Sequence, residues 1–225
     1  MTRRAVVLGK GTLAIRVADW FWRSSAYDLV GVVPVVPEPS WTDSLVNWAE
    51  TMDVPYVPSG DYADLEGVRE RESRIDLAFS VFYDRIIREC FIARCERILN
   101  LHNGPLPRYR GVSPINWALK NGERKHGVTI HEITPEIDGG PIVGQVEYSV
   151  YPEIDEVEDV YRRALAYGWS LFEQTMPLLD RITPQLQDEA LATYYSAAEN
   201  DQLGDRRGFT RATVLGGTDQ NRGNE

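Results

Sequence analysis

The sequence predicts an α/β protein: a mostly parallel sheet with helices on its faces. Three observations carry that prediction. Over residues 1–150, apolar β-branched runs alternate with stripes of helical period. A glycine turn, Gly9-Lys10-Gly11, joins the first run to the first stripe. A chain of 225 residues, 43% hydrophobic and 26% charged, has the composition of a globular protein and can bury a full core.

The elements follow in order. Ala5 to Leu8, closed by Gly9, reads as a buried first strand. Ala14, Val17, Ala18 and Phe21 recur at i, i+3, i+4, i+7, one stripe of a helix. Leu29 to Val36 is almost wholly apolar and reads as a second buried strand, ended by Pro37 and Pro39. Thr42 or Asp43 can cap a helix carrying Leu45, Val46 and Trp48. Asp76 to Val81 and Ile98 to His102 read as further strands. His126 to Thr134 and Pro141 to Val150 alternate as strands do, and a turn from Pro135 to Gly140 joins them as a hairpin or as neighbours. From Val157 to Met176 a helical stripe returns, which Pro177 should end or kink. The pattern weakens after about residue 187. The expected organisation is a domain over 1–185, an extension packed on or near the core over 186–215, and a disordered tail over 216–225.

Charge and composition exclude several functions. Lys+Arg 24 against Asp+Glu 34 leaves a net charge of −10, which repels nucleic acid and anionic membrane. No apolar run approaches the roughly 18 residues of a spanning helix, and the start is too short in apolar residues for a signal peptide. A cytoplasmic location is expected. Cys90 and Cys95, five apart in an expected helix, point to different faces and read as packing residues. The histidines are His102, His126 and His131. The last two, five apart on one strand, face opposite ways, and no metal is expected.

Two stretches can carry chemistry. Gly9-Lys10-Gly11-Thr12-Leu13-Ala14 fits a turn whose amides meet a phosphate at a helix N-terminus. No acidic residue closes the second strand to hold ribose hydroxyls, since Glu38 lies beyond Pro37. The turn is therefore either a phosphate contact or a steric device that steers the chain from sheet to helix. The second stretch is Arg97 to His102. Along a strand, Leu99 and Leu101 share one face, and Asn100 and His102 the other, at the C-terminal end where open α/β sheets bind ligands. An amide donor beside an imidazole suits acyl transfer, where a carbonyl oxygen gains negative charge. The loop from His102 to Gly111 holds two prolines and two glycines and is stiff. Ser113-Pro114 reads as a helix start, with Pro first and Ser as the cap. Asp138, on a Gly-Gly turn, can reach back to an imidazole.

Taken together, Asn100-Leu101-His102, Leu106-Pro107-Arg108-Tyr109-Arg110-Gly111, His126-Gly127-Val128-Thr129 and Ile137-Asp138-Gly139-Gly140-Pro141-Ile142 resemble the catalytic core of the 10-formyltetrahydrofolate-dependent formyltransferases. The resemblance is strong over 75–150 and loose over 1–150. It implies a Rossmann-like formyltransferase fold with a short C-terminal extension. It also implies 10-formyltetrahydrofolate as co-substrate without a metal. Asn100 would then hydrogen-bond the formyl oxygen, and His102 would be the cationic partner of the oxyanion. Asp138 would position His102 and relay protons through water. Tyr83, Arg85, Ile86 and Ile87 would meet the pterin, with Thr134, Glu136, Ile137 and Asp138 as the opposite wall of the folate pocket. Leu106-Pro107 matches a peptide that is often cis in the family.

The family splits by acceptor. The acidic charge and the short, weakly patterned stretch after the long helix argue against its tRNA-directed members, which leaves a small-molecule amine as the expected acceptor. The segments around Leu101 to Pro107 and Pro114 to Leu119 look most like sugar N-formyltransferases, which act on nucleotide-linked amino sugars. In that reading Gly11, Thr12, Asn103, Gly104 and Arg108 would touch the acceptor. Tyr194-Tyr195-Ser196 and Leu203 to Arg207 would add a small cover. A homodimer stays open. The alternatives are a glycinamide ribonucleotide-type transformylase, whose phosphate turn keeps a hydroxyl where Thr12 stands, and a formyltransferase for another small amine. A folate hydrolase, an NAD-dependent oxidoreductase and a non-catalytic nucleotide binder remain further off.

Overall fold

The computed structural model of the protein describes residues 2–67 and 74–203. The expected tail over 216–225 and the pair Arg206-Arg207 lie outside those residues. The chain runs β1 (Arg3–Gly9), α1 (Gly11–Arg23), β2 (Tyr27–Pro34), α2 (Leu45–Thr51), β3 (Ile75–Val81), α3 (Glu89–Ile92), β4 (Cys95–His102), β5 (Arg110–Gly111), α4 (Pro114–Lys120), β6 (Lys125–Glu132), β7 (Ile142–Ser149), α5 (Val157–Thr175) and β8 (Tyr194–Tyr195). A six-stranded sheet has the order β2-β1-β3-β4-β6-β7. Its first four strands are parallel, and β6 and β7 add antiparallel. This is the expected mostly parallel sheet with flanking helices.

The pattern that predicts the elements also explains their packing. Ala5 to Leu8 are fully buried, because helices cover both faces of β1. α1 buries Leu13, Ala14, Val17, Ala18 and Phe21 on one stripe. Phe172 of α5 meets Phe79 of β3 edge-on at 5.0 Å and Phe21 of α1 at 6.0 Å, so three elements share one aromatic contact. Leu99 and Leu101 of β4 enter this core. Asn100 and His102 therefore take the opposite face, as alternation requires.

Several local expectations need correction. Cys95 opens β4 while Cys90 lies in the short α3, so the two do not share a helix; both are free thiols, Cys95 buried and Cys90 exposed. β2 stops at Pro34, two residues short of Val36. Ser44, not Thr42 or Asp43, caps α2, accepting from the Asn47 amide at 3.0 Å. Glu38 takes the Leu45 amide at 2.7 Å, so the N-terminus of α2 is satisfied without Thr42 or Asp43. Pro114 opens α4, but Ser113 makes no side-chain cap.

After α5 and a 3-10 turn at Met176–Arg181, the chain runs past the start of β7 to β5. Gln185 and Ile142 exchange backbone hydrogen bonds, and β8 pairs with β5. The Tyr195 ring stacks on Trp117 at 4.4 Å and on Tyr109 at 5.7 Å. This segment has little apolar periodicity because polar contacts and ring stacking, not a stripe, hold it down.

Candidate active site

β4 ends where β6 passes it antiparallel, in the register Asn100↔His131 and His102↔Thr129. Residues directly opposite in such a pair share a face. Asn100 and His131 therefore meet, with Asn100 Nδ2 3.1 Å from His131 Nε2. His131 Nδ1 lies 2.9 Å from the Glu132 carbonyl oxygen and can only donate to it. In the neutral ring, Nε2 is then the acceptor for the Asn100 amide. The amide nitrogen keeps a second hydrogen for another oxygen. His131 joins the candidate site although nothing in its own stretch of sequence singles it out from the strand. Parity puts His131 on the face of Thr129, but only the pairing of β6 with β4 brings that face to the Asn-x-His strand.

His102 lies between two acceptors. Its Nε2 is 2.7 Å from the Tyr109 carbonyl oxygen, and its Nδ1 is 3.5 Å from Asp138 Oδ2. Gly104 is required here, because a Cβ on it would stand 2.8 Å from His102 Nε2. Asp138 Oδ2 accepts from the Gly111 amide at 2.8 Å, and Oδ1 lies 3.5 Å from His131 Nε2. One carboxylate thus spans both imidazoles. Burial opposes its charge, but the His102 ring, the largest opposing cause, and the Gly111 amide hold the Asp138 carboxyl well below the usual carboxylate range.

The loop beneath is pinned at several points. The Thr129 hydroxyl donates to the Gly104 carbonyl at 2.7 Å and accepts from the Leu106 amide at 3.2 Å. Gln145 Nε2 donates to the Leu106 carbonyl at 2.7 Å. The Leu106-Pro107 peptide is cis. On the other face of β6, His126 donates from Nε2 to the Asn103 carbonyl at 2.9 Å, and burial pushes its pKa down to about 4. It takes no part in the cluster.

The structure does not gather all the residues that the sequence brings forward. The side chains of Tyr83 and Arg85 hold their own loop: the Tyr83 hydroxyl donates to the Gly60 carbonyl at 2.7 Å, and Arg85 pairs with Asp61 at 2.9 Å. Ile87 is buried in the second apolar cluster, and the Ile86 side chain is 68% exposed with its carbonyl taken by the Tyr62 hydroxyl at 3.1 Å. On the opposite wall, Thr134 donates to the Glu136 carbonyl at 3.3 Å, Glu136 pairs with Arg110 at 3.4 Å, and Ile137 is exposed. Arg108 is engaged with Glu123 at 3.4 Å and Glu147 at 3.7 Å. Asn103 Oδ1 is buried without a partner among the described residues.

The glycine turn is filled from within the chain. Gly11 has φ +74°, and a Cβ there would stand 2.6 Å from Thr42 Oγ1. The Thr12 amide donates to that same oxygen at 3.3 Å, and the Thr12 hydroxyl donates to Asp43 Oδ2 at 2.9 Å. Thr42 and Asp43 thus take up the two Thr12 donors of the turn.

A cleft of about 710 Å³ lies between Arg16, Trp20, Trp48 and Trp169 and shares no residue with the His102 cluster. The converging polar groups around His102, not the cleft, make the candidate site. Among the described residues, no group of three His, Cys, Asp or Glu could hold a metal ion, and no helix is long and apolar enough to cross a membrane.

A family model described as formyl transferase matches residues 62–176, just over half of the chain. Solved structures agree on the fold. An N-formyltransferase from Helicobacter canadensis, in complex with folinic acid and dTDP-3-aminofucose, is 22% identical, with a TM-score of 0.75 over 88% of this chain and 72% of its own. A formyltransferase from Anoxybacillus kamchatkensis, in complex with a UDP-linked formamido sugar and tetrahydrofolate, is 23% identical over 95% of this chain and 98% of its own, with a TM-score of 0.59. A glycinamide ribonucleotide transformylase from Symbiobacterium toebii is 23% identical over 83% and 95%, with a TM-score of 0.66.

Proposed function

This chain belongs to the formyl transferase family, and from that premise we propose that it moves a formyl group from 10-formyltetrahydrofolate to the primary amine of a nucleotide-linked amino sugar. The observation that carries the chemistry is the cluster at the ends of β4 and β6. Asn100, held by His131, keeps one N–H free for the formyl oxygen, which becomes negative when the amine attacks its carbon. His102 faces acceptors at both ring nitrogens, and only an imidazolium donates to both. It sets positive charge beside that oxyanion, and Asp138 is its counter-charge. In the full reaction the amine nitrogen bonds to the formyl carbon and the bond to folate N10 breaks. The amine loses one proton and N10 gains one, and the His102–Asp138 pair would pass that proton. The folate would lie along the loop at Tyr83, Arg85, Ile86 and Ile87 and the turn from Thr134 to Asp138. There the exposed Ile86 and Ile137 side chains supply apolar contact rather than hydrogen bonds.

Two observations support the amino-sugar acceptor. The relatives from Helicobacter canadensis and Anoxybacillus kamchatkensis hold nucleotide-linked sugars. At the glycine turn, Asp43 disfavours the phosphate contact that a ribonucleotide acceptor would want. Gly104 and the half-buried Asn103 would face the acceptor from the His102 loop, while Arg108 would have to leave Glu123 and Glu147 to do so. The test is loss of 10-formyltetrahydrofolate, followed by absorbance, with dTDP- and UDP-linked amino sugars and with glycinamide ribonucleotide. Turnover should need the amino sugar. Turnover with glycinamide ribonucleotide alone would overturn the acceptor, and no turnover with any amine would overturn the reaction.

A further inference from the structure

We infer that the segment Gln185 to Tyr195 is a strap that sets the geometry of the reacting centre, and that Gln187 is a positioning residue for Asp138. The strap lies C-terminal to the family-matched stretch 62–176. It crosses both loops that meet at His102. Gln187 Nε2 donates to the carbonyl oxygens of Asp138 and Gly140, each at 2.7 Å. Gln187 Oε1 accepts from Arg110 Nε at 3.1 Å and from Arg110 Nη2 at 2.8 Å. Glu189 holds the same guanidinium, with Arg110 Nη2 2.6 Å from Oε1. Farther along, the Thr193 hydroxyl accepts from the Tyr109 amide at 2.8 Å, and the Thr193 carbonyl accepts from the Arg110 amide at 2.9 Å.

The chemistry at Gln187 fits glutamine alone among side chains of its length. Carbonyl oxygens only accept and a guanidinium only donates, so the bridging group needs donors at one end and an acceptor at the other. Glutamate has no donor for the carbonyls, and lysine has no acceptor for Arg110. The two residues braced in this way are both backbone exceptions. Tyr109 has φ +64° and Asp138 has φ +51°, the left-handed region in which side-chain-bearing residues need outside support. Tyr109 offers His102 its carbonyl and Asp138 offers it a carboxylate. The strap therefore holds both acceptors of the imidazole from behind without touching the ring. Arg110 is itself buried, and it links Gln187 to the Glu136 and Glu189 carboxylates, which lie at the surface.

The kinetic part of this inference rests on the formyl-transfer reading, so the test has a second readout that does not. Gln187→Glu keeps the length and the Arg110 contact but loses both donors, and Gln187→Ala loses everything. Each should lower kcat roughly 10- to 100-fold, the cost of a misplaced catalytic group, with KM for folate and amine little changed. By carbon-13 NMR of the carboxyl, Asp138 should titrate closer to an ordinary carboxylate in both variants, because its contacts with His102 and His131 loosen. The thermal midpoint should stay near that of the unsubstituted protein, since Gln187 contributes nothing to the apolar core. Unchanged kcat and an unchanged Asp138 titration would overturn the inference. So would a fall in kcat that only follows a fall in thermal midpoint while the Asp138 titration stays put. If the unsubstituted protein turns over no formyl donor, the formyl-transfer reading falls, and the Asp138 titration alone decides for or against the strap.

Discussion

The ends of β1 and β4 are two corners of one sheet, and they differ in what faces them. At the end of β1 the glycine turn has the shape of an anion seat, with a helix N-terminus behind it. Thr42 and Asp43 close it with a hydroxyl and a carboxylate from the chain itself. At the end of β4 a less familiar pattern gains its function from outside: β6 brings His131, the turn after β6 brings Asp138, and the strap holds both loops. A local motif fixes the backbone it sits on. The chemistry depends on the side chains that other elements deliver to it.

Substitutions at the two corners should differ by orders of magnitude. Asp138→Asn keeps the shape and removes the counter-charge, and kcat should fall by roughly 10²–10⁴ if proton passage is lost as well. kcat/KM profiles against pH should differ between the two proteins, because the carboxylate that stays charged in the cluster is gone, and superimposable profiles would remove Asp138 from the mechanism. The same residue marks the acid limb of stability. Its folded carboxyl is depressed, so its stabilising contribution is present above about pH 4, the usual aspartate range, and is lost as pH falls below it. Acid unfolding of Asp138→Asn should lack that component.

Asn100→Ala should lower kcat by about 10²–10³ with folate binding intact, the cost of one oxyanion donor. His131→Ala should cost less, because the amide remains but loses its orientation. Single-turnover rates with saturating folate separate the two, and equal losses would mean that His131 acts on substrate directly. At the other corner, Asp43→Asn should change kcat by less than about twofold; a large gain in affinity for a ribonucleotide acceptor would show that the carboxylate is the lock on that seat.

Much of this was legible in the sequence, for physical reasons. The period-2 alternation of Arg97 to His102 placed Asn100 and His102 on one face, and the continuous apolar run of β1 gave a doubly covered strand. Periodicity sees what a helix or strand does with its own faces. It cannot see which strand lies next to which, so the meeting of Asn100 with His131 was out of reach. Thr42 and Asp43 look like a helix cap because their residue types suit one. Glu38, six residues before Ser44, satisfies α2 from a distance and frees them for the glycine turn. The strap shows no pattern because its bonds are polar and specific rather than periodic.

The central claim is that formyl carbon leaves folate for an amine at the β4 corner. The direct measurement is carbon-13 NMR of 10-formyltetrahydrofolate labelled at the formyl carbon, incubated with the protein and a nucleotide-linked amino sugar. The account predicts that the label moves into a sugar formamide, that it stays on folate without the amine, and that Asn100→Ala slows the transfer by about 10² or more. Label released as free formate whether or not the amine is present would contradict it.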